Sequence, residues 1–337
     1  MSIQLCTPWL AVNLLLFIGG FWCLIKGSDL FVDSSSDLAR LWHVPELVIG
    51  LTFVSIGTSL PELASSLYAA FANQPDFIIG NIAGSITTNI SLILGTGIAL
   101  SGNMVYPRKL LTRDAVLMNL VLMTALGMIF ISHAEAPDGT VVHGLDRWCG
   151  AILFIGAVLY CAWLFFMHKE EDLGENPESK EKKHGVCFLL LLSILSLLMI
   201  AFGSQLLVDN VVWGAKRIGI SQMLISATIV AFGTSVPELA VTIIGVRKGK
   251  HDLAIGNIIG SNIFNVLMIF GLCALIRPLA VIGISGMLNM MLMSSAGIFL
   301  FMLMFCSKGK LQRRDGFFLL GLYLLFLFYN CRELFLR

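Results

Sequence analysis

The hydrophobic residues of this chain are gathered into long continuous runs, separated by short polar connections. A helix needs about 20 predominantly apolar residues to cross a bilayer. Ten runs meet this length, at residues 9–32, 44–72, 76–100, 114–133, 146–167, 186–213, 220–246, 252–276, 285–306 and 315–334. The first run lacks the basic residues of a signal peptide and is predicted to be an uncleaved helix. The pattern therefore predicts an all-α membrane protein with ten transmembrane helices.

The longest polar interruption lies between the fifth and sixth runs. Residues 169–184 read KEEDLGENPESKEKKH, and ten of these sixteen residues are charged. This composition is typical of a solvated linker. It divides the chain into a first unit of five helices at 1–168, a charged linker at 169–185 and a second unit of five helices at 186–337.

The lysines and arginines are distributed unevenly over the connections. One set of alternate connections holds 15 of the 22, the other set, with the termini, holds six, and Lys26 lies within the first run. Because the connections richer in basic residues usually face the cytoplasm, the charged linker is predicted to be cytoplasmic. Both termini are then predicted to face outward, away from the cytoplasm.

The composition excludes an ordinary soluble enzyme. Hydrophobic residues make up 57% of the chain, mean hydropathy is +0.87 and only 13% of residues are charged, against about 25% in soluble domains. A net charge of +1 gives no reason to expect a nucleic-acid partner. The eight cysteines form no C-x-x-C pair, and no two of the six histidines have ligand spacing. Neither a disulfide framework, a zinc site nor a cofactor is expected.

Two segments of the chain repeat each other. Residues 50–95 and 226–271 align without a gap at an offset of 176, with 19 of 46 positions identical. The identities concentrate in G-T-S-x-P-E-L-A and in G-N-I-x-G-S-x-x-x-N. The offset covers five helices, an odd number, so the second copy is predicted to be inverted relative to the first. Inverted repeats with interrupted helices are typical of secondary transporters, whose site lies at the repeat interface.

Each repeat places a proline and a glutamate inside an apolar run. Pro61 and Pro237 lack the backbone N–H and crowd the preceding turn, so helices 2 and 7 are predicted to be broken. Carbonyls freed within a membrane need another partner, and a bound cation can supply it. Glu62 and Glu238 follow directly. An acidic residue at mid-membrane costs roughly 3 kcal/mol or more and indicates a functional site.

The run after each broken helix carries asparagine, serine and asparagine at spacing i, i+4, i+8, on one helical face. The positions are Asn81, Ser85 and Asn89 in the first repeat and Asn257, Ser261 and Asn265 in the second. Nearby glycines at 80, 84, 256 and 260 are predicted to let helices approach closely. Carboxylate, hydroxyl, amide and carbonyl oxygens suit Ca2+ or Na+ and disfavour zinc, copper and iron. One site that accepts either ion, but not both, gives exchange.

These motifs resemble the sodium/calcium exchanger family, within the cation/calcium exchanger superfamily. The similarity covers both repeats and the ten-helix layout, and is greatest to prokaryotic members, which also lack a large regulatory loop. It implies two inverted five-helix repeats in which the first and sixth helices slide across the rest. It also implies a diamond of four central residues: Glu62, Asn89, Glu238 and Asn265.

The resemblance further implies where the ions bind. Calcium would lie between the two glutamates, with backbone carbonyls from Thr58 and Thr234. Sodium would use a site on either side. One sodium site would use Ser59, Ser85 and the carbonyl of Ser55, and the other would use Ser235, Ser261 and the carbonyl of Ala231.

The chain departs from the family pattern at two positions. Position 86 is isoleucine, where the motif and the second repeat (Asn262) have asparagine. Position 265 is asparagine, where several family members carry aspartate. Only two central carboxylates remain, so one Ca2+ would leave the site neutral and three Na+ would leave it one charge positive. An electrogenic exchange of three Na+ per Ca2+, independent of K+, is therefore predicted.

Other functions fit these residues less well. Two glutamates can also carry protons, which makes a H+/Ca2+ antiporter, or one for another divalent cation such as Mn2+, the main alternative. The hydroxyls of both repeats favour Na+, because protons need no hydroxyl ligands. An intramembrane enzyme would need a positioned nucleophile and an acid–base pair with separated pKa values, so no enzymatic activity is expected. The predicted partners are Ca2+, Na+ and the lipid bilayer, with no obligatory protein partner and a functional monomer.

Overall fold

The apolar runs of the sequence fold as helices, the structure in which a chain satisfies its own backbone hydrogen bonds within a membrane. The computed structural model describes residues 10–167, 185–217 and 231–335. Its helices are α1 (Leu10–Leu41), α2 (Glu46–Thr58), α3 (Leu60–Phe71), α4 (Pro75–Ser101), α5 (Leu110–Ile131), α6 (Arg147–Met167), α7 (Val186–Arg217), α8 (Ala231–Gly233), α9 (Val236–Arg247), α10 (His251–Ile276), α11 (Gly283–Cys306) and α12 (Arg313–Phe335).

Seven of the described helices are long and apolar enough to cross a membrane: α1, α4, α5, α6, α7, α10 and α11. Helices α2 and α3 together form an eighth candidate, bent by 47° at their junction. The predicted membrane protein of mainly helical structure is thereby confirmed. Part of the predicted seventh span, residues 220–230, lies outside the described residues, as does most of the predicted linker. The count of ten spans and the boundaries of the two units stay predictions.

The sequence predicts a wholly helical fold, but the described residues also contain five short β-strands in the connections between helices. One sheet pairs β1 (Asn103–Val105) with β5 (Lys310–Gln312), and the other has the order β2 (His133–Glu135), β3 (Val141–Leu145), β4 (Leu279–Ala280). All pairs are antiparallel. Strands of two to five residues are too short to show a clear alternation of polar and apolar positions. Each sheet links a connection of the first half to one of the second half.

Helices α1 and α7 pack against each other along their length, at the edge of the molecule. Both contain 32 residues. Their closest approach depends on glycine: a Cβ on Gly203 would lie 2.7 Å from the carbonyl oxygen of Gly20, and one on Gly20 would lie 2.8 Å from the Cβ of Leu206. The hydroxyl of Ser193 donates to that of Ser34 at 2.8 Å. Their outer faces carry exposed apolar side chains such as Trp22, as lipid contact requires.

Helices α4 and α10 form the centre of the fold and are the most buried of the described spans. Helix α10 packs directly on the backbone of α2. A Cβ on Gly256 would lie 2.6 Å from the carbonyl oxygen of Leu47, and one on Gly260 would lie 2.5 Å from that of Leu51. The predicted packing role of these two glycines is confirmed. The equivalent neighbours of residues 80 and 84 would be residues 223 and 227, outside the described part of the chain.

A lysine ties α1 to the turn between α9 and α10. Lys248 Nζ lies 2.6 Å from Asp29 Oδ1 and 2.8 Å from Asp33 Oδ1. Lys26, inside the first apolar run, pairs with the other oxygen of Asp29 at 3.2 Å. We call the contact of Lys248 with Asp29 and Asp33 the Lys248 clasp. At the position equivalent to Lys248, 176 residues earlier, the chain has Ala72, which has no charge to form the equivalent contact with α7.

Candidate cation site between the broken helices

The repeated proline motif interrupts both copies of the helix at the same point. Helix α2 ends at Thr58 and α3 begins at Leu60, with φ −86° and ψ 5° at Ser59 between them. In the second half, α9 begins at Val236 after Ser235, whose φ is −91° and ψ 5°. The proline is the second residue of the helix in each case, where its missing N–H costs nothing. Equal motifs therefore give equal backbone breaks.

The two breaks bring the glutamates into one buried site. Glu62 lies in the first turn of α3 and Glu238 in the first turn of α9, and neither side chain is exposed. Ser59 donates to Glu238 Oε1 at 3.0 Å, while Ser235 donates to Glu62 Oε1 at 3.4 Å. The hydroxyl of each break thus binds the carboxylate of the other repeat. Ser85 also donates to Glu62 Oε1, at 3.4 Å, and lies 3.1 Å from the hydroxyl of Ser235.

Two asparagines complete the site from the central helices. Asn89 opens the π-helical turn Asn89–Leu94 of α4, and Asn265 opens the turn Asn265–Phe270 of α10. Such single π turns are frequent at functional sites. The amide nitrogen of Asn265 donates to the Ser85 hydroxyl at 3.3 Å, and that of Asn89 donates to Asn262 Oδ1 at 3.2 Å. Both side chains are fully buried.

Four buried oxygens at this site accept no hydrogen bond from any described residue. They are Glu62 Oε2, Glu238 Oε2, Asn89 Oδ1 and Asn265 Oδ1. A buried polar atom without a partner costs about 1–3 kcal/mol, and more when it is charged. The four oxygens belong to the four residues of the predicted diamond, and carboxylate and amide oxygens are hard donors, two of them here on acidic side chains. Ca2+ and Na+ fit such a set, which contains no imidazole or thiolate.

Two further pairs of polar residues join the two repeats. The Thr58 hydroxyl donates to Asn257 Oδ1 at 3.1 Å, and that of Thr234 donates to Asn81 Oδ1 at 3.4 Å. These pairs again cross between repeats. The asparagines also contact the helix beside them, since Asn81 donates to Ser66 at 3.2 Å. Asn81 and Asn257 therefore act as interhelical anchors here.

Three predicted ligands remain: Ser55, Ser261 and Ala231. The structure shows a contact between the first two but only the chain position of the third. The Ser261 hydroxyl lies 3.5 Å from the carbonyl oxygen of Ser55, and both residues are buried. Ala231 is the first residue of α8, four residues before the break at Ser235. The division of these residues into two flanking sodium sites stays a prediction.

Asn262 is a site residue whose role the sequence did not reveal. It is fully buried, accepts from Asn89 through Oδ1, and directs Nδ2 toward the sulfur of Met118 at 3.6 Å. Asn262 binds the amide nitrogen of Asn89. This bond fixes the orientation of the Asn89 amide, whose Oδ1 has no hydrogen-bond partner among the described residues. The equivalent residue in the first repeat is Ile86, which has no polar group to hold Asn265. The only sequence signal was this mismatch within an otherwise repeated motif.

Comparison with known proteins matches both halves of the chain. The sequence model of the family described as "Sodium/calcium exchanger protein" matches residues 12–167 and 188–332. The chain belongs to the sodium/calcium exchanger family. Members of this family are exchangers, so the chain is a membrane transporter that couples calcium to another cation. The resemblance inferred from the two motifs is confirmed.

Individual relatives match from 78% to 95% of the chain. The sodium/calcium exchanger MaX1 of Methanosarcina acetivorans is 32% identical over 348 residues, covering 94% of this chain and 98% of its own. The inner membrane protein YrbG of Escherichia coli is 37% identical over 277 residues, covering 78% and 79%. A solved structure of the sodium-calcium exchanger NCX_Mj, soaked with Na+ and Sr2+, has a TM-score of 0.79 at 29% identity, covering 95% and 98%.

Proposed function

We propose that this protein exchanges Ca2+ for Na+ by alternating access around Glu62 and Glu238, with three Na+ moved per Ca2+ and no need for K+. The observation that carries the proposal is the group of four unpaired buried oxygens on Glu62, Glu238, Asn89 and Asn265. A hard cation among them would remove the cost of burying them. No cofactor is required for this function.

The charge of the site sets the proposed stoichiometry. Two carboxylates balance one Ca2+, whereas three Na+ leave one positive charge in excess. The two asparagines contribute oxygen without charge. Each cycle would therefore move one net positive charge in the direction of Na+, and the exchange would respond to membrane potential.

The hydroxyl bonds favour Na+ over H+ as the coupling ion. Ser59 and Ser235 each lie within hydrogen-bond distance of the opposite glutamate, and Ser85 joins Glu62. These hydroxyl oxygens lie where a small cation beside the carboxylates needs further ligands. A proton would need only a carboxylate oxygen. The proton-coupled alternative rests on the two buried glutamates alone.

The proposed architecture is ten helices in two inverted five-helix units, with α1 and α7 moving against the rest. Three observations support it: the equal backbone breaks at Ser59 and Ser235, the crossed hydroxyl bonds, and the way the sheets join the connections. Strands β1 and β5 lie in connections that the basic residues place in the cytoplasm, and β3 and β4 in connections placed outside. We further propose that the protein lies in the inner membrane of a prokaryote, with both termini outside. It functions as a monomer and needs no protein partner.

Reconstituted vesicles test the coupling ion directly. We expect Ca2+ uptake when Na+ is loaded inside, and none when a pH gradient replaces the Na+ gradient. Uptake should accelerate when the vesicle interior is made positive, since net positive charge leaves with Na+. Uptake without a response to potential would contradict the three-to-one stoichiometry. Uptake driven by the pH gradient alone would assign the protein to the proton-coupled branch.

Replacing Asn262 by alanine should weaken Ca2+ binding without abolishing transport. The Asn89 amide would lose the acceptor that fixes its orientation, so its oxygen would no longer be held toward the site. We expect the Ca2+ concentration for half-maximal uptake to rise about five- to tenfold, the effect of one lost buried hydrogen bond. Initial rates of uptake at a series of Ca2+ concentrations measure this.

Asn119→Ala is the matched control for this experiment. Its amide nitrogen donates to the carbonyl of Ala115, one turn earlier in the same helix, and its Oδ1 forms no hydrogen bond with any described residue. We expect it to keep the parental half-saturation. A parental value for Asn262→Ala as well would remove the positioning role of Asn262.

A further inference from the structure

The sheet formed by β2, β3 and β4 carries a pair of histidines that the exchange mechanism does not use. His133 on β2 and His143 on β3 are direct partners across the hairpin. Their ring centroids lie 5.0 Å apart with an interplanar angle of 30°, and both residues are exposed. Their separation of ten residues is not a helical ligand spacing, and the hairpin brings them together all the same.

We propose that His133 and His143 bind a transition-metal ion such as Cu2+ or Zn2+ at the surface, at a site distinct from the one for transported cations. Imidazole is a preferred ligand of these metals, whereas Ca2+ and Na+ select oxygen. Metal–nitrogen bonds of about 2.0–2.1 Å place a shared ion ~3.2 Å from each centroid, so a 5.0 Å separation gives a bond angle near 100°. Binding in this way requires each ring to turn about χ2 until one of its nitrogens faces the ion.

The backbone of the hairpin holds the two histidines in place. Gly139 takes a positive φ of 84° at the turn, a conformation that glycine adopts without strain. The carboxylate of Asp138 accepts from the Thr140 hydroxyl at 2.7 Å and from its backbone N–H at 3.0 Å. These bonds, the hydroxyl first, lower the pKa of Asp138 from its usual value. The other edge of β3 pairs with β4, so both histidine positions are fixed before an ion binds.

The rest of the coordination shell would come from water. Glu135 lies two residues beyond His133 on β2, and alternate residues of a strand share a face. It is exposed and adds negative charge to this face. No group of three histidine, cysteine, aspartate or glutamate side chains clusters for a metal in the part of the chain that the structure describes. Cu2+, which accepts two imidazoles with water in a square plane, is therefore the best probe.

Binding of Cu2+ to the purified full-length protein, with any affinity tag removed, tests the site. We expect isothermal titration to show one saturable site, and electron paramagnetic resonance to show two nitrogen ligands. His133→Gln and His143→Gln should each weaken binding by about tenfold or more, because one imidazole of the chelating pair is lost. Zn2+ should compete with Cu2+.

Two further variants separate this site from others. His43→Gln changes another exposed histidine and should leave the affinity for Cu2+ unchanged. Glu62→Gln should also leave it unchanged, since the proposed transport site is not involved. The proposal would be overturned if both hairpin variants keep the parental Cu2+ affinity and elute from a size-exclusion column like the parent, which shows that they are folded. A Cu2+ spectrum with a single nitrogen ligand would also overturn it.

Discussion

Glu62→Gln is expected to abolish exchange while leaving the protein folded and at least as stable as the parent. Glutamine keeps the size of the side chain and an oxygen to accept from Ser85 and Ser235. It removes one of the two charges that balance Ca2+. Removing one partner of a buried ion pair costs about 3–5 kcal/mol, so we expect Ca2+ uptake to fall on the order of 100-fold or more. Uptake into Na+-loaded vesicles, beside thermal unfolding in detergent, measures both effects.

Glu238→Gln should behave in the same way, because Glu238 is equally buried and bonded to Ser59. Glu135→Gln makes the same chemical change on the exposed β2 strand and should keep parental uptake. A rise in stability is expected at the two buried positions alone, since an acidic group is costly within a membrane. Normal exchange by either buried variant would remove the glutamates from the mechanism.

Gly260→Ala is expected to have the second largest effect, on stability and on uptake together. A Cβ there would lie 2.5 Å from the carbonyl oxygen of Leu51 and 2.7 Å from both its Cα and the Ser55 hydroxyl. Two of these three neighbours are backbone atoms, so α2 and α10 would have to move apart. Overpacking of this kind costs roughly 1–3 kcal/mol. We expect the unfolding midpoint in detergent to fall by several degrees.

Uptake should also fall, because Ser261 follows Gly260 and lies against the Ser55 carbonyl. Gly127→Ala is the matched control: on α5, a Cβ at this position meets nothing within 4 Å among the described residues. It should unfold at or above the parental midpoint, since alanine is the better helix former. A parental midpoint for Gly260→Ala would show that the α2–α10 contact is looser than the structure has it.

The sequence predicted those site residues whose free-energy cost depends only on their own apolar run and not on distant parts of the chain. A proline within an apolar run interrupts a helix whatever surrounds it, which is why the break before Pro61 could be predicted. A glutamate in the same run is expensive wherever it points, so Glu62 and Glu238 stood out. Repetition at a constant offset then predicted that Asn89 and Asn265 would have equivalent places.

Contacts between distant parts of the chain could not be predicted in this way. The pairing of Ser59 with Glu238 depends on how the two repeats face each other, and no local pattern contains that. The bond from Asn89 to Asn262 depends on the packing of α4 against α10. The extension of α1 to Leu41 also went unpredicted, because helicity continues past the point where hydropathy falls.

The short strands escaped detection for another reason. Five residues of β3 give too few positions for a period of two to appear. The approach of His133 to His143 follows from the register of that hairpin. Sequence spacing was therefore a poor guide to which histidines meet.

The Lys248 clasp makes the two end positions of the transport cycle unequal in free energy. If α1 and α7 move together against the other helices, Lys248 can hold Asp29 and Asp33 in only one of the two end positions. Ala72 offers no matching contact for the other. Ion pairs at a surface contribute about 0.2–1 kcal/mol, or roughly 1.4- to 5-fold in an equilibrium constant. A bias of that size would set the resting population of the transporter, yet remain small enough for the gradients of the transported ions to reverse it in every cycle.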